Sequence, residues 1–258
     1  MIWNTNQYSD PDGRVLEATY ATTQLTKRQY TNQRARFLPM LGTGNTVMPY
    51  AVILGPCRIG DDNWFGPHVA VGTPAQYRHG PHPPAHEPQG EMGIDIGNRN
   101  RIREFVTVHQ GSVRPTRLHD DIYLMAYAHV PHDAELEDGV TMANATQVGG
   151  HTWIGEGANI GLGVDVRQRS AIGPYAMVGM NSAVTRHVPP FAMVVGSPAR
   201  VKGANRVGMS RSGFDEDTIE RMDAHFKSGD LATPDWLPDE IARQFGRFTE
   251  RATEADSR

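Results

Sequence analysis

Residues 124–184 read LMAYAHVPHDAELEDGVTMANATQVGGHTWIGEGANIGLGVDVRQRSAIGPYAMVGMNSAV. Stepping by six from Leu124 lands on Val130, Leu136, Met142, Val148, Ile154, Ile160, Val166, Ile172, Val178 and Val184, all aliphatic. Two residues before each stands a small or β-branched residue in most cases, among them Ala128, Ala134, Val140, Thr146, Thr152, Ala158, Val164, Ser170, Ala176 and Ser182. A period of six fits neither a helix at 3.6 nor an alternating strand at 2, but it fits a chain wound around three short flat faces. Each face supplies one inward aliphatic residue, and about eighteen residues complete a coil. The expected fold is an all-β solenoid, a left-handed parallel β-helix. The glycine that often follows the aliphatic position, as at Gly60, Gly66, Gly72, Gly97, Gly155, Gly173 and Gly179, is expected to turn the corner.

The same step governs Val47, Ile53, Ile59, Phe65 and Val71, and it resumes at Ile96, Ile102 and Val108. Residues 46–213 are therefore assigned to the coil, with external loops near 73–93 and 111–121. The first loop, rich in proline and histidine, cannot carry the repeat, and such excursions from a solenoid tend to form binding surfaces. Residues 1–45 show no six-residue step and are read as an N-terminal cap. Helical patterning in Asp217–Lys227 and Glu240–Thr249 marks 214–258 as a helical C-terminal cap over the open end of the coil.

Composition narrows the function. With 25 Lys and Arg against 29 Asp and Glu, the chain has no broad basic footprint, so nucleic acid is not an expected partner. No apolar run is long enough for membrane insertion, and MIWNTNQYSDPDG lacks the basic and apolar regions of a signal peptide. A cytoplasmic location is the expectation. The single Cys57 excludes an internal disulfide and a multi-thiolate zinc site, and reads as buried filler.

Four segments then resemble one family, the acyl-carrier-protein-dependent UDP-N-acetylglucosamine O-acyltransferases: IGNRNRIREFVTVHQGS (96–112), AHVPHDAELEDG (128–139), ANATQVGGH (143–151) and VPPFAMVVGSPARVKGANRVGMSRSGF (188–214). The resemblance covers about 70–214. The first two segments are the specific ones, because the coil does not demand their polar residues. It implies an acyl group moved from a thioester of acyl carrier protein or coenzyme A to a hydroxyl or amine of a nucleotide sugar or related glycoside. It further implies a homotrimer, no metal and no cofactor beyond that co-substrate. His132 falls on the family's general base, Asp133 on the residue that orients it, and the Gly150 N–H on the oxyanion donor. Substrate contacts fall on Gln76, His109, His129, His151, Gln168, Asn205 and Arg211, and Met180 on the position that limits acyl length. One point is independent of the family: His132 and Gly150 are eighteen residues apart, so a three-faced coil stacks them on adjacent rungs.

Several positions depart from the family pattern. Tyr77 and His79 stand where an acid and a lysine are usual, Arg167 replaces a histidine, and Ser212 replaces the second of two arginines. These changes fall in the sugar pocket and put the acceptor in doubt more than the fold. Three other functions fit the same coil. A small-acceptor acetyltransferase using acetyl coenzyme A is the main rival. A γ-type carbonic anhydrase is suggested by His79, His82 and His86, but they sit in a proline-rich loop without zinc-ligand context. A scaffold without chemistry would have no use for His132, Asp133 and Gly150 together.

Overall fold

The computed structural model describes residues 5–9, 15–19, 39–76, 78 and 92–257. Thr5–Ser9 and Val15–Thr19 pair as an antiparallel hairpin. From Pro39 onward the chain winds as a parallel β-helix with three faces. The first face holds seven strands, from Pro39–Leu41 to Ala171–Ile172, and the third holds seven, from Val52–Ile53 to Ala183–Val184. The second face has nine, beginning at Thr46–Val47 and ending with Ala192–Val195 and the antiparallel Arg200–Ala204. In the regular coils each strand pairs with the one eighteen residues on, as Leu136 with Ile154 and Ile154 with Ile172.

This spacing carries the core. The aliphatic column from Leu124 to Val184 is buried throughout, and so is the small-residue column from Ala128 to Ser182. Cys57 occupies the same small inward position, and burial followed by the Asp95 charge pushes its thiol up to about 12, leaving it an inert filler. Earlier coils fill that column with Asn45, Asn63 and Asn100. The Asn45 Oδ1 accepts from the Asn63 N–H at 2.9 Å, the Asn63 Oδ1 from the Asn100 N–H at 2.9 Å, and the Asn100 Oδ1 from the Ile122 N–H at 2.8 Å.

The structure corrects the sequence reading in three places. The coil starts at Pro39, not 46: Leu41 pairs with Ile59 and belongs to the aliphatic series. The second interruption is smaller than 111–121, because Thr116–Leu118 is a strand of the first face, and only four residues are added to that coil between Leu118 and its partner Ile96 twenty-two positions back. The glycines after the aliphatic positions do not turn the corner, with the exception of Gly72 at φ 90°. The left-handed residue comes two positions later and is mostly not glycine: Tyr50, His68, Phe105 and Tyr127 line one corner, and Asp133, His151 and Arg169 another, all with φ between 57° and 66°. Those glycines are needed for close approach instead. A Cβ on Gly155 would stand 2.7 Å from the Pro174 nitrogen, and one on Gly173 2.4 Å from the Pro190 nitrogen.

Helices α1 (Arg206–Arg211), α2 (Glu216–Lys227) and α3 (Asp239–Asp256) close the far end, α1 starting inside the segment assigned to the coil and α3 running past the predicted Thr249. Helix α3 lies against the first face. Arg247 bonds Glu137, Arg251 reaches Glu135 at 3.1 Å, and His187 meets Asp256 at 3.2 Å. No helix among the described residues is long and apolar enough to cross a membrane.

The asparagine column makes a test of the coil's polar core. Asn100→Ala strands the buried Ile122 N–H and the His119 carbonyl, which accepts from Asn100 Nδ2 at 2.9 Å. A loss of about 2–4 kcal/mol is expected, read as a lower midpoint in denaturant unfolding.

Candidate active site

The corner between the third and first faces gathers the histidines. In each coil it carries a short turn, and the rungs stack so that Asp133, His151 and Arg169 form one column while His132, Gly150 and Gln168 form the next. The His151 N–H donates to the His132 carbonyl at 3.1 Å and the Arg169 N–H to the Gly150 carbonyl at 2.8 Å. Gly150 is where the His132 ring rests: a Cβ there would lie 2.6 Å from Cε1 and 2.7 Å from Nε2. Among the described residues the Gly150 N–H finds no acceptor.

Asp133 is fully buried and accepts five hydrogen bonds. Its Oδ1 takes the backbone N–H groups of Ser112 at 3.0 Å and of Val113 and Arg114 at 2.9 Å. Its Oδ2 takes the Ser112 hydroxyl at 2.6 Å and the His132 Nδ1 at 2.6 Å. Burial alone would raise this carboxyl, but the bonds from His132, Ser112, Val113 and Arg114 outweigh it and hold it well below the usual range. An ionised carboxylate can only accept, so the proton on neutral His132 sits at Nδ1 and the lone pair at Nε2.

The other imidazoles stand around this dyad. His151 meets the His132 ring edge-on at 5.1 Å, and His109 meets His129 edge-on at 4.9 Å. The His129 Nδ1 lies 2.7 Å from the Thr107 hydroxyl. Burial, with the charges of His129 and His132, pulls His109 down to about 4, so it is neutral at physiological pH. Burial and then His132 pull His129 down as well. Nitrogen and oxygen atoms of His132, Asp133 and His151 all lie within 4.8 Å of one another. With five donors already on the carboxylate, the trio fits a hydrogen-bonded unit rather than a cation's ligand set.

Of the remaining predicted positions, only Gln168 shares the corner of the dyad. Gln76 and Gln168 are exposed, and Tyr77, His79, His82 and His86 lie outside the described residues. Asn205 is the N-cap of α1: its Oδ1 accepts from the Gly208 N–H at 3.1 Å and its Nδ2 donates to the Tyr175 carbonyl at 2.8 Å. Arg211 is exposed in the last turn of that helix. Met180, 66% exposed, stands at the corner between the second and third faces, not at the histidine corner. Sequence reasoning missed Ser112, Arg114 and Thr107. Ser112 and Arg114 sit where the six-residue step breaks, and that break was the available signal.

Comparisons with known proteins point one way. A profile described as UDP N-acetylglucosamine O-acyltransferase, domain 2, matches residues 187–228. An acyl-[acyl-carrier-protein]–UDP-N-acetylglucosamine O-acyltransferase of Synechocystis sp. is 37% identical over 186 residues, covering 68% of this chain and 62% of that protein. The enzyme of the same name from Halorhodospira halophila is 37% identical over 178 residues, covering 67% and 66%. The chain thus spans a little under two thirds of these relatives. Among solved structures, the UDP-N-acetylglucosamine acyltransferase of Campylobacter jejuni superposes with a TM-score of 0.71 at 25% identity, covering 81% of this chain and 84% of that one. LpxA of Acinetobacter baumannii gives 0.67 at 28%, covering 84% and 83%.

The Asp133 cluster predicts a pH signature. Asp133→Asn removes the charge that five donors converge on, at an expected cost of about 2–4 kcal/mol at neutral pH. Because the folded carboxyl lies below its unfolded value of about 3.9, its contribution is complete above that value and fades as pH falls through it toward the folded one. The gap in melting temperature between parent and variant should therefore narrow as pH falls below 4.

Proposed function

Because the chain belongs to the UDP-N-acetylglucosamine O-acyltransferase family, as a divergent member, we propose that it transfers an acyl group from an acyl carrier protein thioester to a hydroxyl of a UDP-amino sugar. The observation that supports this most is the dyad itself: His132 bonded through Nδ1 to a buried carboxylate, with its ring against the Gly150 backbone. In the reaction, His132 Nε2 takes the hydroxyl proton as the oxygen attacks the thioester carbonyl. The Gly150 N–H donates to the oxyanion of the tetrahedral intermediate. The C–S bond then breaks, and the imidazolium returns its proton to the departing thiolate, so the base ends as it began. Asp133 stabilises the imidazolium without taking its proton.

The finer assignments follow from the same reading. His109, His129, His151, Gln76 and Gln168 contact the sugar, and Asn205 and Arg211 the nucleotide phosphates, Asn205 only if its capping geometry yields. The active form is a cytoplasmic homotrimer. The relatives and structures above all carry acyltransferase names, which speaks against the carbonic anhydrase and the small-acceptor acetyltransferase.

Incubation of the protein with acyl carrier protein and coenzyme A thioesters and a panel of UDP-sugars, read by mass spectrometry, tests the proposal. His132→Ala should lower turnover by about 10²-fold or more with the fold intact. Undiminished turnover in that variant would end the mechanism. Acyl length gives a second test. Met180, exposed in the single chain, should restrict the parent to short or medium chains where a neighbouring subunit closes a groove over it, since added bulk in a packed groove typically costs about 1–3 kcal/mol, and Met180→Gly should shift the preference to longer donors. A parent that already prefers fourteen-carbon donors would remove Met180 from that role.

A further inference from the structure

The Asp133 Oδ2 faces two imidazoles. His132 Nδ1 holds it at 2.6 Å, while His151 Nε2 stands 3.6 Å away, beyond hydrogen-bonding range. A protonated His151 would be drawn to this carboxylate and would compete for the acceptor that fixes the His132 tautomer. Something must weigh against that charge.

One coil above His151, at the same corner position, is Arg169. Its Nη1 is buried and has no hydrogen-bond partner, and among the described residues its guanidinium pairs with no carboxylate. Arg169 and His151 line one narrow cavity together with Arg114 and, from α3, Arg251 and Glu254. Of these charges, Arg114 donates to the Asp133 main-chain carbonyl at 3.0 and 3.2 Å. Arg251 is matched by Glu135 at 3.1 Å and by Glu254 at 3.9 Å. Among the described residues, Arg169 is matched by no acid.

We infer that Arg169 is a positioning residue for the dyad, its unpaired guanidinium keeping His151 neutral so that Asp133 remains the partner of His132. The electrostatics agree in direction: burial lowers His151, Asp133 opposes, and Arg169, His132 and Arg114 add to the lowering. The consequence for turnover rests on the acyltransferase reading, but the effect on His151 does not.

The test is therefore a titration of the full chain carrying ¹³C-labelled histidine, with the His151 signal assigned by its loss in His151→Asn. Arg169→Met should raise the His151 midpoint by about half a pH unit, the size expected for loss of one partly screened unit charge. Arg169→Lys, which keeps the cation, should restore the parent value. In parallel the acid limb of kcat/KM should move to higher pH in Arg169→Met, so that the variant loses about threefold more activity than the parent between pH 8 and pH 6, and Arg169→Lys should reverse it. An unmoved His151 midpoint in a folded Arg169→Met protein overturns the inference, as does a moved midpoint with an unmoved acid limb. A parent without turnover, alongside a moved midpoint, would count against the acyltransferase reading and not against the role of Arg169 toward His151.

Discussion

Every coil of this protein must hand its backbone N–H and C=O groups to the coil above and the coil below, because a parallel ladder three faces wide leaves buried peptide groups no other partner. That requirement fixes the eighteen-residue step, and the step fixes nearly everything else. It forces one aliphatic and one small residue inward per face. It forces a left-handed residue at each corner, at a cost of roughly 1–2 kcal/mol when that residue is not glycine. It also strips the Cβ from Gly155 and Gly173, where a Cβ would lie 2.7 Å or less from the next rung. Chemistry-bearing side chains placed one step apart are thereby stacked without any loop having to aim them. His132 under Gly150 and Asp133 under His151 are products of the ladder.

The candidate site occupies the place where the step is broken. The coil before His132 has four extra residues, and the backbone of Ser112, Val113 and Arg114 folds across the corner so that three consecutive N–H groups point at one carboxylate oxygen. A regular coil could not supply three in a row, because most of its N–H groups are spent on the ladder. The irregularity is thus the means by which a buried Asp133 stays ionised and His132 keeps one tautomer.

This explains how far the sequence could be read. Periodicity shows the coil because inward positions tolerate few residue types, and the pairing of His132 with Gly150 follows from counting. Leu41 and Leu118 obey the same count, one step back from Val47 and Leu124, and were passed over only because Pro39 and the break at 111–115 obscure their surroundings. The left-handed corner residues were not legible as such: Tyr127, His151 and Arg169 share no side-chain type, since the ladder rather than the residue imposes the φ. Nor did anything local mark Ser112 as a donor to Asp133, or Asn205 as a helix cap, because each role depends on a segment distant in sequence.

The C-terminal helix shows what a period-based reading leaves out entirely. Glu135 and Glu137 flank the inward Leu136 and belong by pattern to the wet outer surface of the first face, yet both are buried. Helix α3 covers them with Arg251 and Arg247, and Trp153 adds an N–H to Glu137 at 3.1 Å. Burial would raise Glu135, but its bond to His119 and the Arg251 charge hold it low, so the helix is docked through ionised pairs as well as through apolar contact. Replacing one partner of such a pair leaves the other buried and unmatched, which is the costly direction. Arg251 and Glu254 also border the cavity beside His151, so the docking surface of α3 and the corner that carries the dyad are continuous. The helix therefore acts on both: it seals acids that the coil alone would leave exposed, and it adds a self-matched ion pair to the surroundings of His151.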